Sequence, residues 1–502
     1  MRNRQILINA TMSIGQVIVT GMTLFILYRF LLNHLGVEQF GVWSVVSATT
    51  SLVNIGNLGF SGCIVKFVAK YLAVGEKESV IGVIHTATAS ICVIVGMILG
   101  AFYPFAEWLL RFVIPPSHLS EALSILPYAM ASIWISVIAG AFQGALDGYQ
   151  RIDISRLISV AKAIVILLLS FFLVPTYGLI GLAYASVIQS CIVLLAAWMT
   201  LKKLLPSLSL IPHRWSKKLF REMIVYGLHF QLITFSSMFY DPITKGLLAK
   251  YGGLSMTGFY EMASRMIMQL RGLLVAANEV LIPMIAELQE NNPEIIRKVY
   301  QDSYELNLYI ALPYFSVIIA LAPVISRAWI GYYEPDFLFF YVILAIGWLV
   351  NILYAPSYTA NLGIGNLKLN ATGQVIMAGL NMGLGLLFGK LYGGEAVVVA
   401  WVISLVVGSF SMLLLFHYKN GIRFSRLFPK EFIFLGLSGV TGVFMSFLLN
   451  QLLNDRLSTF ALAGVILMAV CLSSSIPIWN HTMRKRLARW LMVAVLKESK
   501  TL

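Results

Sequence analysis

Ten polar and ionisable residues lie inside long apolar stretches of this 502-residue chain, where such groups are costly and rarely idle. Going along the sequence, they are Arg29, Lys162, Gln231, Asp241, Lys245, Glu261, Arg265, Arg271, Asn278 and Glu279. Five cations against three carboxylates leave this set positive by two charges. A positive cavity suits an anionic group, and a guanidinium grips a carboxylate or phosphate in bidentate fashion. The expected anion-binding set is Arg271, Arg265, Arg29 and Lys245. Asp241, Glu261, Glu279, Lys162, Asn278 and Gln231 are expected to support it or to couple an ion.

Local pairing competes with that reading. Asp241–Lys245 and Glu261–Arg265 are both spaced i, i+4, so each pair can satisfy itself on one helix face. Arg29 lies near the end of its run, within snorkelling reach of water. Arg271 differs. It sits roughly 13 residues from either end of its run, over about 15 Å of helix. Glu279, eight residues on, is rotated from it by about 80° and is no direct partner. Arg271 therefore needs an anion from elsewhere or a water-filled cavity. Arg29 and Lys245 add a symmetry argument: 29 plus the repeat offset of 217 described below is 246, one position from Lys245.

No catalytic constellation accompanies these groups. The seven histidines (34, 85, 118, 213, 229, 417 and 481) have no ligand spacing, and no glycine loop carries a phosphate-binding Lys-Ser/Thr. No cofactor or metal is expected, and the chain is not read as an enzyme. Cys63, Cys92, Cys191 and Cys471 lie in apolar surroundings and read as packing residues.

The elements that must carry these residues follow from composition. Apolar residues make up 59% of the chain and charged residues 12%, with a mean hydropathy of +0.83. Soluble proteins run at about 45–50% and about 25%. A soluble enzyme, a disulfide scaffold and a disordered chain are excluded, leaving an all-α polytopic membrane protein. Fourteen runs approach the roughly 20 apolar residues a membrane crossing requires. They lie near 8–32, 41–65, 80–104, 122–146, 156–175, 178–201, 223–249, 258–286, 306–330, 337–360, 369–390, 394–417, 432–453 and 459–480. The first is read as a retained helix, not a cleaved signal.

The formal charge of +14 reflects topology, not nucleic-acid binding. With a cytoplasmic N-terminus, 26 of the 36 basic residues fall in cytoplasmic segments. Five face the other side: Arg111, Lys250, Arg327, Lys390 and Arg456. That asymmetry places both termini in the cytoplasm.

The chain also repeats itself. Gly36-Val-Glu-Gln-Phe-Gly41-Val-Trp43 matches Gly253-Leu-Ser-Met-Thr-Gly258-Phe-Tyr260 at an offset of 217. Gly148-Tyr-Gln-Arg151 aligns with Gly365-Asn-Leu-Lys368 at the same offset. Tyr177-Gly178 and Ala185 match Tyr392-Gly393 and Ala400 at 215, implying a two-residue deletion. The matched helices are six apart, so both copies enter the membrane from the same side. The expected organisation is an N-lobe (1–210, helices one to six), a basic cytoplasmic linker (211–222) and a C-lobe (223–420, helices seven to twelve). Helices thirteen and fourteen (421–480) and a basic cytoplasmic tail (481–502) follow. Asp241-Pro242, Pro283, Pro313, Pro356 and the segment Asn54–Gly59 are expected to bend their helices. The ladders Gly140/Gly144/Gly148 and Gly379/Gly383 are expected to admit close helix contact.

Six plus six plus two helices, the pattern Leu35-Gly36-x-x-x-Phe40-Gly41-x-Trp43 and the turns at Gly148 and Gly365 give the chain its family likeness. It resembles the polysaccharide-transporter branch of the multidrug/oligosaccharidyl-lipid/polysaccharide exporter superfamily. The resemblance implies an O-antigen or capsule-unit flippase in a bacterial cytoplasmic (inner) membrane. Its cargo would be an undecaprenyl-diphosphate-linked oligosaccharide, carried by alternating access of a central cationic cavity. It also implies membrane lipids as partners, together with a polysaccharide polymerase and chain-length machinery; a monomer is expected. Outward movement of two negative charges from a negative-inside cell gains up to about 4–5 kcal/mol per 100 mV. Two alternatives share the architecture, a lipid II flippase and a multidrug exporter. The positive site balance disfavours cationic drugs, and a membrane glycosyltransferase or polymerase would call for a larger external loop.

Overall fold

The computed structural model describes residues 2–487 and 489 except 58, 280, 366, 424–428 and 455. The side chains of 2–11, 13, 14, 61, 228–234, 283, 290 and 367 also lie outside the described set. Every regular element among the described residues is helical. The first are α1 (Arg2–Ser51), a 3-10 segment (Leu52–Asn57), α2 (Phe60–Ala73), α3 (Lys77–Val113), α4 (Pro116–Gly148) and α5 (Ile152–Leu204). Next come α6 (Lys217–Thr234), a 3-10 turn (Ser236–Phe239), α7 (Tyr240–Glu279), α8 (Leu281–Asn291), α9 (Pro293–Ala320) and α10 (Ala322–Ile330). The last are α11 (Pro335–Ile364), α12 (Leu367–Tyr392), α13 (Gly394–Lys419), α14 (Lys430–Leu453) and α15 (Thr459–Asn480).

Among the described residues, ten helical stretches are long and apolar enough to cross a membrane, and an eleventh is added if α9 and α10, bent by 51°, form one span. The protein is therefore an all-helical, multi-pass membrane protein. Fourteen sequence runs exceed this number because three stretches, of 59, 53 and 54 residues, are each read there as two passes. At about 1.5 Å per residue each is about 80 Å long, more than twice the hydrocarbon core. Each contains a helix interrupted by non-helical backbone at a glycine: Gly36 in α1, Gly178 in α5 and Gly253 in α7.

The breaks at Gly36 (φ 78°, ψ 166°) and Gly253 (φ 85°, ψ 175°) are the same conformation, 217 residues apart. Positive φ costs glycine little and other residues much, so the repeated sequence bends its helix twice at one register. Beyond each break the copies pack reciprocally. A side chain at Gly41 would strike the Leu254 carbonyl, and one at Gly258 would strike the Val37 carbonyl. Since 37 and 41 map onto 254 and 258, each copy offers its glycine to the other's backbone.

Later in the chain the offset is 215. Gly148 packs against Val65 and Val68, whereas Gly363 packs against Ile282 and Ile285. Gln150 (φ 60°) and Gly365 (φ 81°) then occupy matching left-handed positions. The register set by packing thus pairs Gly148 with Gly363 rather than Gly365, and the two-residue deletion precedes this turn. Of the expected glycine ladders, Gly148 makes a close approach, while Gly140, Gly379 and Gly383 meet open space.

Proline acts mostly by position. Pro242 falls in the first turn of α7, where its missing N–H is not needed, and the interruption lies just before it in the 3-10 turn. Pro313 and Pro356 are accommodated within α9 and α11, and Pro283 falls in the first turn of α8. The segment around Asn54 does leave the α-helix, as a 3-10 segment followed by left-handed Gly59.

The chain forms two compact units. One comprises Met1–Met262 with Ala378–Trp401, and its core includes Val42, Phe60, Ile84, Leu126 and Phe142, all buried. There the basic segment after α5 is strapped to α3. Trp215 Nε1 donates to Ser90 Oγ (3.1 Å), Ser216 N donates to Thr86 Oγ1 (3.2 Å), and Arg214 pairs with Glu78. The other unit comprises Ala263–Met377 with Val402–Leu502. Tyr300, Phe315, Phe337 and Tyr341 fill it, and Ala320, Val324, Leu462, Ile466 and Val470 join α9 and α10 to α15.

Candidate functional site

Within the first unit, the break at Gly253 lets the two arms of α7 bring opposite charges together, with Lys245 and Glu261 buried and Asp241 half-exposed. The Lys245 ammonium, 1% exposed, lies 2.6 Å from Asp241 and 2.6 Å from Glu261. Tyr28 donates to Glu261 Oε1 (3.1 Å), and Ser44 donates to Glu261 Oε2 (3.2 Å). The expected i, i+4 pair of Asp241 and Lys245 forms. Glu261 is engaged by Lys245, sixteen positions earlier, a contact that helical spacing does not foretell. Lys245 was expected among the anion-binding cations, yet it is enclosed by two carboxylates, so its charge is balanced from within the protein. Asn381 extends the polar cluster through Thr244 (3.1 Å) and the Tyr240 carbonyl (3.3 Å).

Lys162 is half-buried in α5, and its carbonyl accepts from Gln189 Nε2 (2.9 Å). Arg29 is exposed on α1. The Gln231 side chain lies outside the described residues.

The second unit holds a cavity of about 340 Å³ around Arg271. Arg271 and Asn278 come from α7, Asn351, Tyr354 and Tyr358 from α11, and Gln374 from α12. Arg271 Nη2 donates to Asn351 Oδ1 (3.0 Å), and Asn351 Nδ2 in turn donates to Ser409 Oγ (2.9 Å). The guanidinium carbon lies 4.3 Å from the centre of the Trp348 ring, a cation–π contact. Its Nε is buried and has no hydrogen-bond partner, and no carboxylate approaches within ion-pair distance among the described residues. Glu279 lines the same cavity without meeting Arg271, as the rotation between them requires.

Amides stiffen the walls. Asn278 Nδ2 donates to the Leu274 carbonyl (2.8 Å) and to Asn307 Oδ1 (3.3 Å), so it is internally satisfied. Tyr354 and Asn361 both donate to Asn370 Oδ1, at 2.8 and 3.0 Å, tying α11 to α12. Arg265 is exposed on α7. Sequence reasoning missed Asn351, Trp348, Tyr354, Tyr358 and Gln374 because it started from charged groups and added only the amides Gln231 and Asn278 to them. Asn351, an amide inside the apolar run of α11, was a visible signal. Trp348 carried none.

The bundle is that of a multi-pass membrane protein, and its second unit sets a cation in a polar cavity. The chain belongs to the polysaccharide biosynthesis protein family, whose model matches residues 6–289. No curated protein matches it. Among solved structures it is similar to the lipid II flippase MurJ in an inward closed conformation, at 15% identity and TM-score 0.71, covering 97% of this chain and 100% of that one. It is also similar to an inward-facing multidrug-resistance MATE transporter of the MOP superfamily, at 15% identity and TM-score 0.70, covering 82% and 98%. A third likeness is a MOP superfamily transporter from Pyrococcus furiosus, at 14% identity and TM-score 0.60, covering 82% and 96%. These likenesses place the fold among MOP superfamily transporters.

Proposed function

We propose that this protein is a flippase for an undecaprenyl-diphosphate-linked oligosaccharide, acting in a bacterial cytoplasmic membrane during surface-polysaccharide synthesis. The observation that carries the reading is Arg271, with an unpartnered Nε and no carboxylate within ion-pair distance among the described residues, lining a cavity of about 340 Å³. A diphosphate supplies the missing acceptor, and phenols and amides nearby suit sugar hydroxyls. Trp348 and Asn351 act as positioning residues by holding the guanidinium in place through the ring contact and one hydrogen bond. Exposed Arg265 and Arg29 are proposed to guide the anion, while Lys245, Asp241 and Glu261 hold the first unit together. Membership in a polysaccharide biosynthesis family supports the substrate class.

In this reading the three glycine-broken stretches each make two passes. They give fourteen crossings, two six-helix repeats (1–210 and 223–420) and both termini in the cytoplasm. The substrate's own negative charge drives exit, with Glu279 available to carry a coupling proton.

Deleting the gene in the native organism tests the reading. Accumulation of a complete, unpolymerised lipid-linked repeat unit with loss of surface polysaccharide is the expected result. Normal pools and an unchanged surface polymer would overturn it, and accumulation of lipid II would redirect it to peptidoglycan synthesis.

A further inference from the structure

The second unit contains another cavity, about 590 Å³, where the end of α14 meets the end of α10. One part of its lining is polar, with Arg327, Asn450 and Gln451; the other is Phe444, Phe447 and Leu448. Arg327 stands in the last turn of α10, its guanidinium 5.7 Å from the Tyr333 ring, with no carboxylate in ion-pair range among the described residues. Asn450 is 8% exposed, and its Oδ1 is buried without a hydrogen-bond donor.

This corner is built, not loose. Ser326 Oγ donates to the Tyr332 carbonyl (3.1 Å) and accepts from Glu334 N (2.9 Å), pinning the loop that carries Tyr333 back onto α10. Left-handed Gly331 closes the helix by donating to the Arg327 carbonyl (3.0 Å). The cation is therefore held at a fixed place beside an amide that lacks a donor.

We propose that this cavity holds the headgroup of an anionic glycerophospholipid bearing free hydroxyls. Its phosphate sits on Arg327, its hydroxyls meet the amides of Asn450 and Gln451, and its first methylenes lie against Phe444, Phe447 and Leu448. An arginine demands an acceptor with negative charge, and an orphan amide oxygen demands a donor. A phosphatidylglycerol headgroup supplies both. A choline headgroup supplies no donor and sets a second cation beside Arg327. The apolar part points to a lipid rather than a soluble phosphate. From the cavity, Leu448, Phe444 and Val440 recede along α14 at successive i−4 steps, 43%, 65% and 67% exposed, a track suited to an acyl chain. With the lysine and arginine asymmetry setting orientation, this corner faces the external leaflet.

The experiment uses the full chain purified in detergent and titrated with dioleoyl-phosphatidylglycerol or dioleoyl-phosphatidylcholine, with bound lipid counted by native mass spectrometry. Phosphatidylglycerol is expected to be retained in preference. Arg327→Gln lowers its apparent affinity about tenfold, the scale of one charge-assisted hydrogen bond. Gln451→Leu, at an exposed position, weakens it in the same direction should the arginine variant fail to fold. Arg271→Gln, in the other cavity, leaves retention unchanged. Equal retention of the two lipids, or no loss in both Arg327→Gln and Gln451→Leu, would sink the proposal. Displacement by glycerol 1-phosphate as readily as by lipid would also overturn it, in favour of a soluble anion.

Discussion

Ser44 donates a hydrogen bond of 3.2 Å to Glu261, and the two residues are separated by 217 positions, the offset of the internal repeat. Each therefore meets its own counterpart in the other copy. Such a contact arises where two similar segments face one another about a two-fold axis, as in an isologous interface. The reciprocal contacts of Gly41 with Leu254 and of Gly258 with Val37 obey the same relation. Symmetry ends at the chemistry, since serine in one copy is glutamate in the other, and only that glutamate collects Lys245.

Lys245→Met should be poorly folded. It leaves Asp241 and Glu261 without their shared cation, and removing one partner of a buried ion pair costs about 3–5 kcal/mol. Membrane abundance and the detergent melting temperature should both fall sharply. The triple replacement Asp241→Asn, Lys245→Met, Glu261→Gln should recover much of the loss. Single and triple variants that are equally stable would show the cluster to be unimportant for folding.

Gly258→Val should lower stability through its clash with the Val37 backbone, and Gly41→Val through its clash with Leu254. Each overpacked site is expected to cost about 1–3 kcal/mol. Gly379→Val, facing open space, is the control and should leave abundance near the parent level. Cell-surface or membrane immunoblots with thermal melts compare the three.

Arg271→Ala should abolish export of the lipid-linked oligosaccharide while abundance stays at the parent level. Arg271→Lys should restore only a small part, because an ammonium lacks the planar fork that grips a diphosphate in bidentate fashion. A glycolipid accumulation assay in complemented deletion cells separates the outcomes. Full activity of the alanine variant would remove Arg271 from the site.

Trp348→Leu keeps an apolar side chain but loses the cation–π contact, worth about 0.5–2 kcal/mol. Substrate affinity should weaken several-fold with little change in melting temperature. Rescue by Trp348→Phe, which keeps a ring beneath the guanidinium, would assign the effect to orientation rather than to packing.

The all-helical membrane fold, the repeated glycine breaks and the lack of a helical partner for Arg271 were legible in the sequence alone. Hydrocarbon leaves the backbone few alternatives to helix, so a run of apolar residues declares its structure locally. Arg271 announced itself by depth, because no i, i+4 neighbour could neutralise it. Gly36 and Gly253 showed where repeated helices begin.

Which charged groups meet was decided by tertiary structure. Glu261 has Arg265 one turn away along its helix, and the break at Gly253 also brings Lys245 to it, while Tyr28 and Ser44 arrive from α1. Lys245 and Arg271 look alike as buried cations in the sequence, but one is enclosed by carboxylates while the other keeps an open Nε. Coulomb attraction and desolvation act between groups near in space, and spacing along one helix reports on only a single wall of any cavity. Trp348, Asn351 and the corner at Arg327 belong to walls supplied by other helices, and packing alone brings them together.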